Sequence, residues 1–127
     1  MCENIKPMTT QEVAGRLVQL CREGKNDQAI EELYAENVVS REPKGSDMEL
    51  TEGKEAVKNK TIRWEESVEE IHSSSVSDPL VADNHFSLVM DFDATYKEHG
   101  RIAMSELCVY EVKDGKIVAD EFFYRMG

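Results

Sequence analysis

Apolar residues recur every three or four positions in three segments of the chain, a spacing typical of helices with one buried face. The first segment predicts a helix over residues 10–23, with an apolar face formed by Val13, Leu17, Leu20 and Cys21. The second predicts a shorter helix that begins at a capping residue, Asn26 or Asp27, and carries Ala29, Ile30, Leu33 and Tyr34. The third begins at Lys54 and places on one stripe Val57, Thr61, Trp64 and Val68.

After Glu66, the pattern changes to the alternation of apolar and polar residues that is typical of strands. It is clearest where one side of a predicted strand carries Phe86, Leu88, Met90, Phe92 and Ala94. Residues 101–112 and 117–124 predict two further strands joined by a tight turn at residues 113–116, and residues 68–77 alternate weakly. A short strand at Val38 and Val39 should end before Pro43. Helices followed by an antiparallel meander predict an α+β domain.

Length and composition favour one folded domain over residues 1–127. Hydrophobic residues make up 40% of the chain and charged residues 32%, which is too apolar for a disordered segment. The longest apolar run, Leu107 to Tyr110, has four residues, whereas a transmembrane helix needs about 20. The N-terminal segment shows no signal-peptide or lipidation pattern, so the cytoplasm is the expected location.

The charge and the cysteines narrow the classes of partner. A formal net charge of −11 repels phosphate backbones and anionic lipids, so neither nucleic acid nor a membrane surface is an expected partner. The three cysteines lack the spacing of a disulfide framework or a zinc site, and no pair of histidines has ligand spacing on a helix. Because no phosphate loop or dinucleotide motif is present either, no metal and no cofactor are predicted.

Three motifs occur in a characteristic order. Residues 33–43 read Leu-Tyr-Ala-Glu-Asn-Val-Val-Ser-Arg-Glu-Pro, so a short strand leads to a carboxylate just before Pro43. Gly-Lys-Glu-Ala-Val begins the third helix at residues 53–57, and Asp-Gly-Lys-Ile-Val forms the last hairpin at residues 114–118. With these motifs and this order of elements, the chain resembles the SnoaL-like polyketide cyclases and ketosteroid isomerases of the nuclear transport factor two-like superfamily.

That resemblance implies a cone-shaped, curved antiparallel sheet covered by three N-terminal helices, which encloses a cavity for a small apolar ligand. It also implies pairing of two copies through the outer face of the sheet. In ketosteroid isomerases the carboxylate before Pro is the general base, a position occupied here by Glu42. A second acid that donates a hydrogen bond to the enolate falls nearest to Glu106, if the register slips by one residue. The tyrosine of the first helix aligns with Leu17, so one oxyanion donor is missing.

Strand alternation singles out Glu106 independently of the resemblance. It falls on the apolar side of its strand with Ile102, Met104, Cys108, Tyr110 and Val112. A carboxyl aimed at the core should be protonated, with a raised pKa, or should meet a partner such as Tyr110, Tyr34 or His72. The alternatives are a solvated Glu106 beyond a bulge, or a purely structural hydrogen bond. Glu42, likewise, could be an ordinary rim carboxylate paired with Arg41 or Lys44.

The remaining candidates are positions that the predicted elements direct inward. Asp120 alternates with Val118, Phe122 and Tyr124 and could add a third acid, although Glu121 has an equal claim if the opposite face is buried. The candidate ligand contacts are Leu17, Tyr34, Trp64, His72, Met90, Phe92, Cys108 and Tyr124. Such aromatic and thioether side chains are part of a plain core more often than they are ligand contacts.

The leading hypothesis is a SnoaL-like protein, a homodimer, that binds a small apolar or carbonyl-bearing molecule. Its chemistry would be an isomerisation or cyclisation without a cofactor, by carboxylate-mediated proton transfer next to a carbonyl. Glu42, Glu106 and Asp120 are the candidate catalytic residues. The alternative is a non-catalytic ligand-binding or dimeric assembly module on the same fold, which the replacement of the helix tyrosine by Leu17 favours.

Overall fold

The computed structural model describes residues 6–125, which form three helices and seven strands. The helices are α1 (Thr10–Arg22), α2 (Asn26–Leu33) and α3 (Lys54–Ser67). The strands are β1 (Tyr34–Arg41), β2 (Leu50–Glu52), β3 (Val68–Val76), β4 (Leu80–Ala82), β5 (His85–Tyr96), β6 (Gly100–Lys113) and β7 (Lys116–Phe123). The predicted α+β class is confirmed.

All seven strands belong to one curved, unclosed sheet with the order β2-β1-β7-β6-β5-β3, in which β4 also pairs with β5. The predicted antiparallel meander is found in β5, β6 and β7. Strand β1 pairs in parallel with β7, so the sheet is mixed and not purely antiparallel. Alternation along a strand indicates which side chains share a face, but it does not indicate the direction of a neighbour from the far end of the chain.

The two N-terminal helices differ in how they begin. Thr9 and Glu12 form a capping box at α1, in which the Glu12 amide donates to Thr9 Oγ1 over 3.1 Å. The α2 cap is Lys25, whose side chain makes no capping bond, so the predicted cap at Asn26 or Asp27 is wrong. The Lys25 amide donates to the Leu20 carbonyl, so the hydrogen bonds that end α1 extend to the residue immediately before α2.

Strand β1 is longer than the sequence predicted. It begins at Tyr34, which the helical spacing had placed on the second helix, and its last residue is Arg41, shortly before Pro43. Residues 44–53, whose largely polar sequence is typical of a loop, contain β2, which pairs with β1 through Val39 and Glu52. Three residues are too few to show alternation, so backbone pairing alone defines this strand.

The core lies between the helices and the inner face of the sheet. Helix α1 packs over β3, β4 and β5, whereas α3 packs over β1, β2 and β3. The buried residues of this core come from both layers and include Val13, Leu17, Leu20, Ile30, Leu33, Val38, Val57, Phe86, Leu88, Tyr110 and Ile117. The inner face of β5 and β6 is therefore the one that the sequence pattern predicted.

The β6–β7 hairpin is as predicted, with Asp114 and Gly115 at φ values of 51° and 77°. The segment before α1 lies directly against this turn. A Cβ atom placed on Gly115 would come within 2.8 Å of the Met8 amide nitrogen and 2.9 Å of Pro7 Cβ. Glycine is therefore required at this position both by its backbone conformation and by the close approach of the N-terminal segment.

Candidate functional site

Three acids from three parts of the sheet converge on the inner face under α3. Glu42 follows β1, Glu106 lies on β6 and Asp120 lies on β7. Asp120 is the register partner of Ser40 on β1 and of Tyr110 on β6, which fixes its position in the middle of the sheet. The open choice between neighbouring acids on β7 is thereby settled, because Asp120 is buried and Glu121 is exposed.

Glu42 is held by two donors. Lys60, on α3, donates from Nζ to Glu42 Oε2 over 3.0 Å, and the Tyr124 hydroxyl donates to Glu42 Oε1 over 2.7 Å. Neither member of the ion pair is well exposed, since 15% of the Lys60 side chain and 16% of the Glu42 side chain are accessible. Arg41 and Lys44, the partners expected for a rim carboxylate, are not the ones that Glu42 uses.

Lys60 also links β1 to the acids. Its ammonium donates a second hydrogen bond, to Ser40 Oγ over 2.8 Å, and lies 5.5 Å from the centre of the Phe122 ring. Sequence reasoning missed Lys60 altogether. The signal was present, because Lys60 lies three residues after Val57 and four before Trp64, on the stripe of α3 that faces the sheet.

Asp120 is the most deeply buried of the acids, with 3% of its surface exposed. The Tyr34 hydroxyl donates to Asp120 Oδ2 over 2.5 Å, while Oδ1 accepts no hydrogen bond from any side chain in residues 6–125. Burial raises the pKa of Asp120 to about 6, against the opposing influence of the Ser40 hydroxyl, the Tyr34 hydroxyl and the Lys60 ammonium.

Glu106 is half-buried and is held much less firmly. Burial, followed by the negative charge of Glu42, raises the pKa of Glu106 to about 7. Its partner is the Cys108 thiol, 3.6 Å from Glu106 Oε1, and not any of the three residues considered from the sequence. The position of Glu106 on the apolar side of β6 thus has the predicted consequence for its titration.

An aromatic group borders the acids. Trp64 on α3 makes an edge contact with Phe92, with 5.3 Å between the ring centres, and donates from Nε1 to the Tyr96 hydroxyl over 3.3 Å. Met90, half-buried, packs against the core beside Glu106, its register partner on the next strand. Tyr124 is also half-buried, and burial together with Glu42 raises its pKa. Of these side chains, Met90 and Tyr124 are in direct register or hydrogen-bond contact with the acids.

Three other candidate ligand contacts lie inside the core. Leu17, Tyr34 and Cys108 are all buried, and each belongs to the cluster of packed core residues. Tyr34 reaches the acids only through its hydrogen bond to Asp120. Burial raises the pKa of the Cys108 thiol, so it is an inert core group.

His72 is the one candidate that the structure separates from the rest. Its Nε2 atom lies 2.7 Å from Thr95 Oγ1, on the outer side of the sheet, because Thr95 alternates with the fully buried Ala94. The register between β3 and β5 shifts between Ile71 and Ser73, which removes His72 from regular alternation. The expectation that His72 contributes a polar group beside the acids is therefore wrong.

Two surface grooves lie away from the acids. One, of about 410 Å³, is lined by α1 and by Asp78 and Pro79. The other, of about 440 Å³, is lined by residues 73–75, 91–93 and 103–105. Neither contains Glu42, Glu106 or Asp120, so the enclosed ligand cavity under the helices stays a prediction.

Within residues 6–125, no group of three or more His, Cys, Asp or Glu side chains has the arrangement needed to hold a metal ion. None of the helices formed by these residues combines the length and the apolar character that crossing a membrane requires.

Solved structures share this fold. A candidate SnoaL-like polyketide cyclase from Mesorhizobium loti, also described as a carbohydrate phosphatase, is 37% identical with a TM-score of 0.87, over 92% of this chain and all of that one. A candidate polyketide cyclase from Pseudomonas putida is 15% identical with a TM-score of 0.71, over 94% of this chain and 93% of that one. At 15% identity, the likeness to the Pseudomonas putida protein shows the fold alone.

A hypothetical protein with a ketosteroid isomerase-like fold from Catenulispora acidiphila, in complex with trimethylamine, is 16% identical with a TM-score of 0.72. The alignment covers 91% of this chain and 86% of that one. No curated protein matches the chain. The SnoaL-like domain matches residues 8–124, nearly the whole chain, in agreement with the resemblance that the motifs indicated. The chain therefore belongs to the SnoaL-like domain family.

Proposed function

We propose that this protein binds a small, mostly apolar ketone and moves a proton next to its carbonyl without a cofactor, in an isomerisation or a ring closure. The observation that carries the proposal is the group of three acids around one ammonium, in which Glu106 has a pKa of about 7. A general base works best when its pKa lies near the operating pH. Glu106 can therefore both accept and return a proton at neutral pH.

Glu106, more than Glu42, has the freedom that the proton carrier needs. Both oxygens of Glu42 already accept hydrogen bonds from fixed donors, Lys60 and Tyr124. If Glu42 were to take a substrate proton, as the resemblance implies, one of those donors would have to move away. Glu106 accepts only a long hydrogen bond from a thiol, so no strong contact has to be broken.

In the proposed reaction, ionised Glu106 removes a proton from the carbon next to the carbonyl. The electron pair of the broken C–H bond forms a carbon–carbon double bond, and the carbonyl electrons move to oxygen. In an isomerisation, protonated Glu106 returns the proton to another carbon of the conjugated enolate, and the electrons on oxygen re-form the carbonyl. In a ring closure, the enolate carbon attacks a second carbonyl, whose π electrons move to its oxygen, and Glu106 gives its proton to the resulting alkoxide. Glu42 and Asp120 assist through their charge, because each raises the pKa of Glu106.

The relatives support this choice in part. Two of them are described as candidate polyketide cyclases, enzymes whose ring closure needs a carbanion equivalent next to a carbonyl. The description of the first as a carbohydrate phosphatase fits this chain less well. A phosphate ester would bring more negative charge to a site that already holds Glu42, Glu106 and Asp120 against one lysine.

Solvent exchange tests the proposal without knowledge of the natural substrate. A panel of cyclic ketones, including cyclohexanone and 1-tetralone, is incubated with the protein in deuterated buffer, and loss of the α-proton signals is followed by NMR. We expect the wild type to accelerate exchange and Glu106→Gln to abolish the acceleration. Glu111→Gln, on the outer face of the same strand, is the matched control and should behave as the wild type. If the wild type accelerates exchange for none of the ketones, or if Glu106→Gln accelerates it as the wild type does, the proposal is contradicted and a non-catalytic binding module is favoured.

We also propose that two copies pair through the outer face of the sheet. Val89, Leu107 and Phe123 are direct neighbours across β5, β6 and β7. They are 37%, 43% and 48% exposed, which leaves a continuous apolar row on a strongly acidic protein. A second copy presents the same row, and self-complementary pairing of this kind is the most common form of dimer.

The proposed location is the cytoplasm. Cys21 and Cys108 are free thiols within the described range, whereas Cys2 lies outside it. Free buried thiols are typical of proteins in a reducing compartment. Fractionation of cells that produce the protein checks this directly.

A further inference from the structure

One of the three N–H donors of the Lys60 ammonium makes no hydrogen bond within residues 6–125. A lysine ammonium carries three N–H donors. Two of them are used, by Ser40 Oγ at 2.8 Å and by Glu42 Oε2 at 3.0 Å. The third finds no hydrogen-bond acceptor among residues 6–125, and the ring of Phe122 lies 5.5 Å from the ammonium.

This remaining donor is held in a fixed place. Lys60 lies on α3, which packs over β1, and both of its acceptors are carried by or directly follow that strand. Only 15% of the Lys60 side chain is accessible, so water competes weakly for its charge. A donor that is oriented before the reaction, in a site with little water, stabilises a developing negative charge most effectively.

The other donors around the acids are engaged. The Tyr34 hydroxyl binds Asp120, the Tyr124 hydroxyl binds Glu42, and Trp64 Nε1 binds the Tyr96 hydroxyl. The helix-one position where a tyrosine donor was expected holds Leu17, which is buried in the core. Among these tyrosine and tryptophan donors of residues 6–125, the Tyr96 hydroxyl, which accepts the bond from Trp64, competes with Lys60 for the role of free donor.

We propose that Lys60 is the oxyanion donor of this site, a catalytic residue whose third N–H binds the substrate carbonyl oxygen and stabilises it as the enolate forms. This inference rests on the proposed function. Lys60 keeps its proton throughout, since it donates a hydrogen bond and transfers nothing. The only proton that moves is the one that Glu106 takes from carbon and returns.

The same geometry defines the substrate class. An oxygen bound to Lys60 brings the attached carbons over or beside the Phe122 ring, which offers a flat apolar surface. The site should therefore prefer a planar, conjugated ketone whose enolate is also planar. While Glu106 is ionised, the carboxylates of the site repel a ligand that carries a negative charge, so the site should select ligands that enter in a neutral form.

A phenol tests the inference, because a bound phenolate resembles an enolate in shape and charge. We would titrate 4-nitrophenol into the protein and read affinity and phenolate fraction from the absorption of the phenolate. The wild type should bind the neutral phenol, whose proton passes to Glu106, and should thereby enrich the phenolate beside Lys60. Lys60→Gln should weaken binding roughly tenfold or more and lower the phenolate fraction. Lys60→Arg should restore part of both, because it keeps the charge. Lys58→Gln is the matched control, since Lys58 lies on the same helix and pairs with Glu31 at the surface.

A second measurement separates a catalytic Lys60 from a structural one. The positive charge of Lys60 lowers the pKa of Glu106, so carbon NMR should show Glu106 titrating at higher pH in Lys60→Gln, while thermal melting checks that the variant is folded. Unchanged phenol affinity and phenolate fraction in a folded Lys60→Gln, or their loss in Tyr96→Phe alone, overturns the inference. In that case, ketone exchange that still depends on Glu106 leaves the proposed function intact. A wild type that binds no phenol contradicts both.

Discussion

The hydroxyl of Tyr34 lies 2.5 Å from Oδ2 of Asp120, although 86 positions separate the two residues. The contact joins the first strand of the chain to the last, which are also parallel partners in the sheet. Both groups are almost completely buried, so neither can exchange this hydrogen bond for one with water. The pair connects β1 and β7 in the part of the sheet beside Glu42, Lys60 and Glu106.

Removal of the Tyr34 hydroxyl should therefore destabilise the fold. Tyr34→Phe leaves a buried carboxylate without its donor, which costs about 1–3 kcal/mol of unfolding free energy. The substitution should also raise the pKa of Asp120 further, because the hydrogen bond from Tyr34 lowers that pKa in the wild type. Urea denaturation at neutral pH measures the cost, with Tyr96→Phe as the comparison, because Tyr96 is half-buried and its hydroxyl contacts Trp64 and not Asp120. Equal stability of wild type and Tyr34→Phe would show that Asp120 does not depend on this donor.

Stability should fall as the pH rises through the acidic range. Asp120 and Glu106 have pKa values of about 6 and about 7 in the folded chain, whereas unfolded carboxyls titrate near pH 4. The folded state thus binds more protons between about pH 4 and pH 7, and folding is favoured by protonation in that window. Denaturation at a series of pH values should show this decline. Asp120→Asn should make the decline shallower, and an unaltered slope would contradict the raised pKa of Asp120.

Substitution of Gly115 should be more damaging than substitution of another turn glycine. Gly100 and Gly115 have φ values of 74° and 77°, so alanine is strained by a similar amount, about 1–3 kcal/mol, at either. Only at Gly115 does the added methyl group meet Pro7 and Met8. The melting temperature of Gly115→Ala should accordingly fall below that of Gly100→Ala. Equal losses would mean that the N-terminal segment does not press on the hairpin.

A charge in the apolar row should prevent pairing of two copies. Leu107→Asp places a carboxylate at the centre of that row, and burial of an unpaired charge is costly. Light scattering after size exclusion should give a dimer for the wild type and a monomer for this variant. Ile102→Asp, an exposed apolar position of the same strand on its inner side, is the control and should remain dimeric. A monomeric wild type would rule out the proposed interface.

The features that the sequence predicted are those that depend on local spacing. Helix α3 and the inward face of Glu106 follow from periodicity within a short segment, and the last hairpin follows from its turn residues. The features it missed depend on distant parts of the chain, such as the parallel pairing of β1 with β7. His72 was named as a candidate ligand contact, and the register shift between Ile71 and Ser73 that places it against Thr95 cannot be seen in a weakly alternating segment.

Lys60 shows why a site is harder to predict than a fold. A lysine on a helix is usually solvated, and only the position of α3 over Ser40 and Glu42 gives this one its two acceptors. The family motif drew attention to Glu42, but no motif indicates that its oxygens accept hydrogen bonds from Lys60 and Tyr124. Those contacts move attention from Glu42 to Glu106 as the proton carrier.

The most direct measurement is the pH dependence of ketone α-proton exchange. If ionised Glu106 is the base, the rate should rise with pH through a midpoint of about 7, and Glu106→Asp should move that midpoint while Glu106→Gln removes the acceleration. A rate that rises with the same midpoint in Glu106→Gln, or that shows no midpoint in the wild type, would contradict the central claim that Glu106 carries the proton.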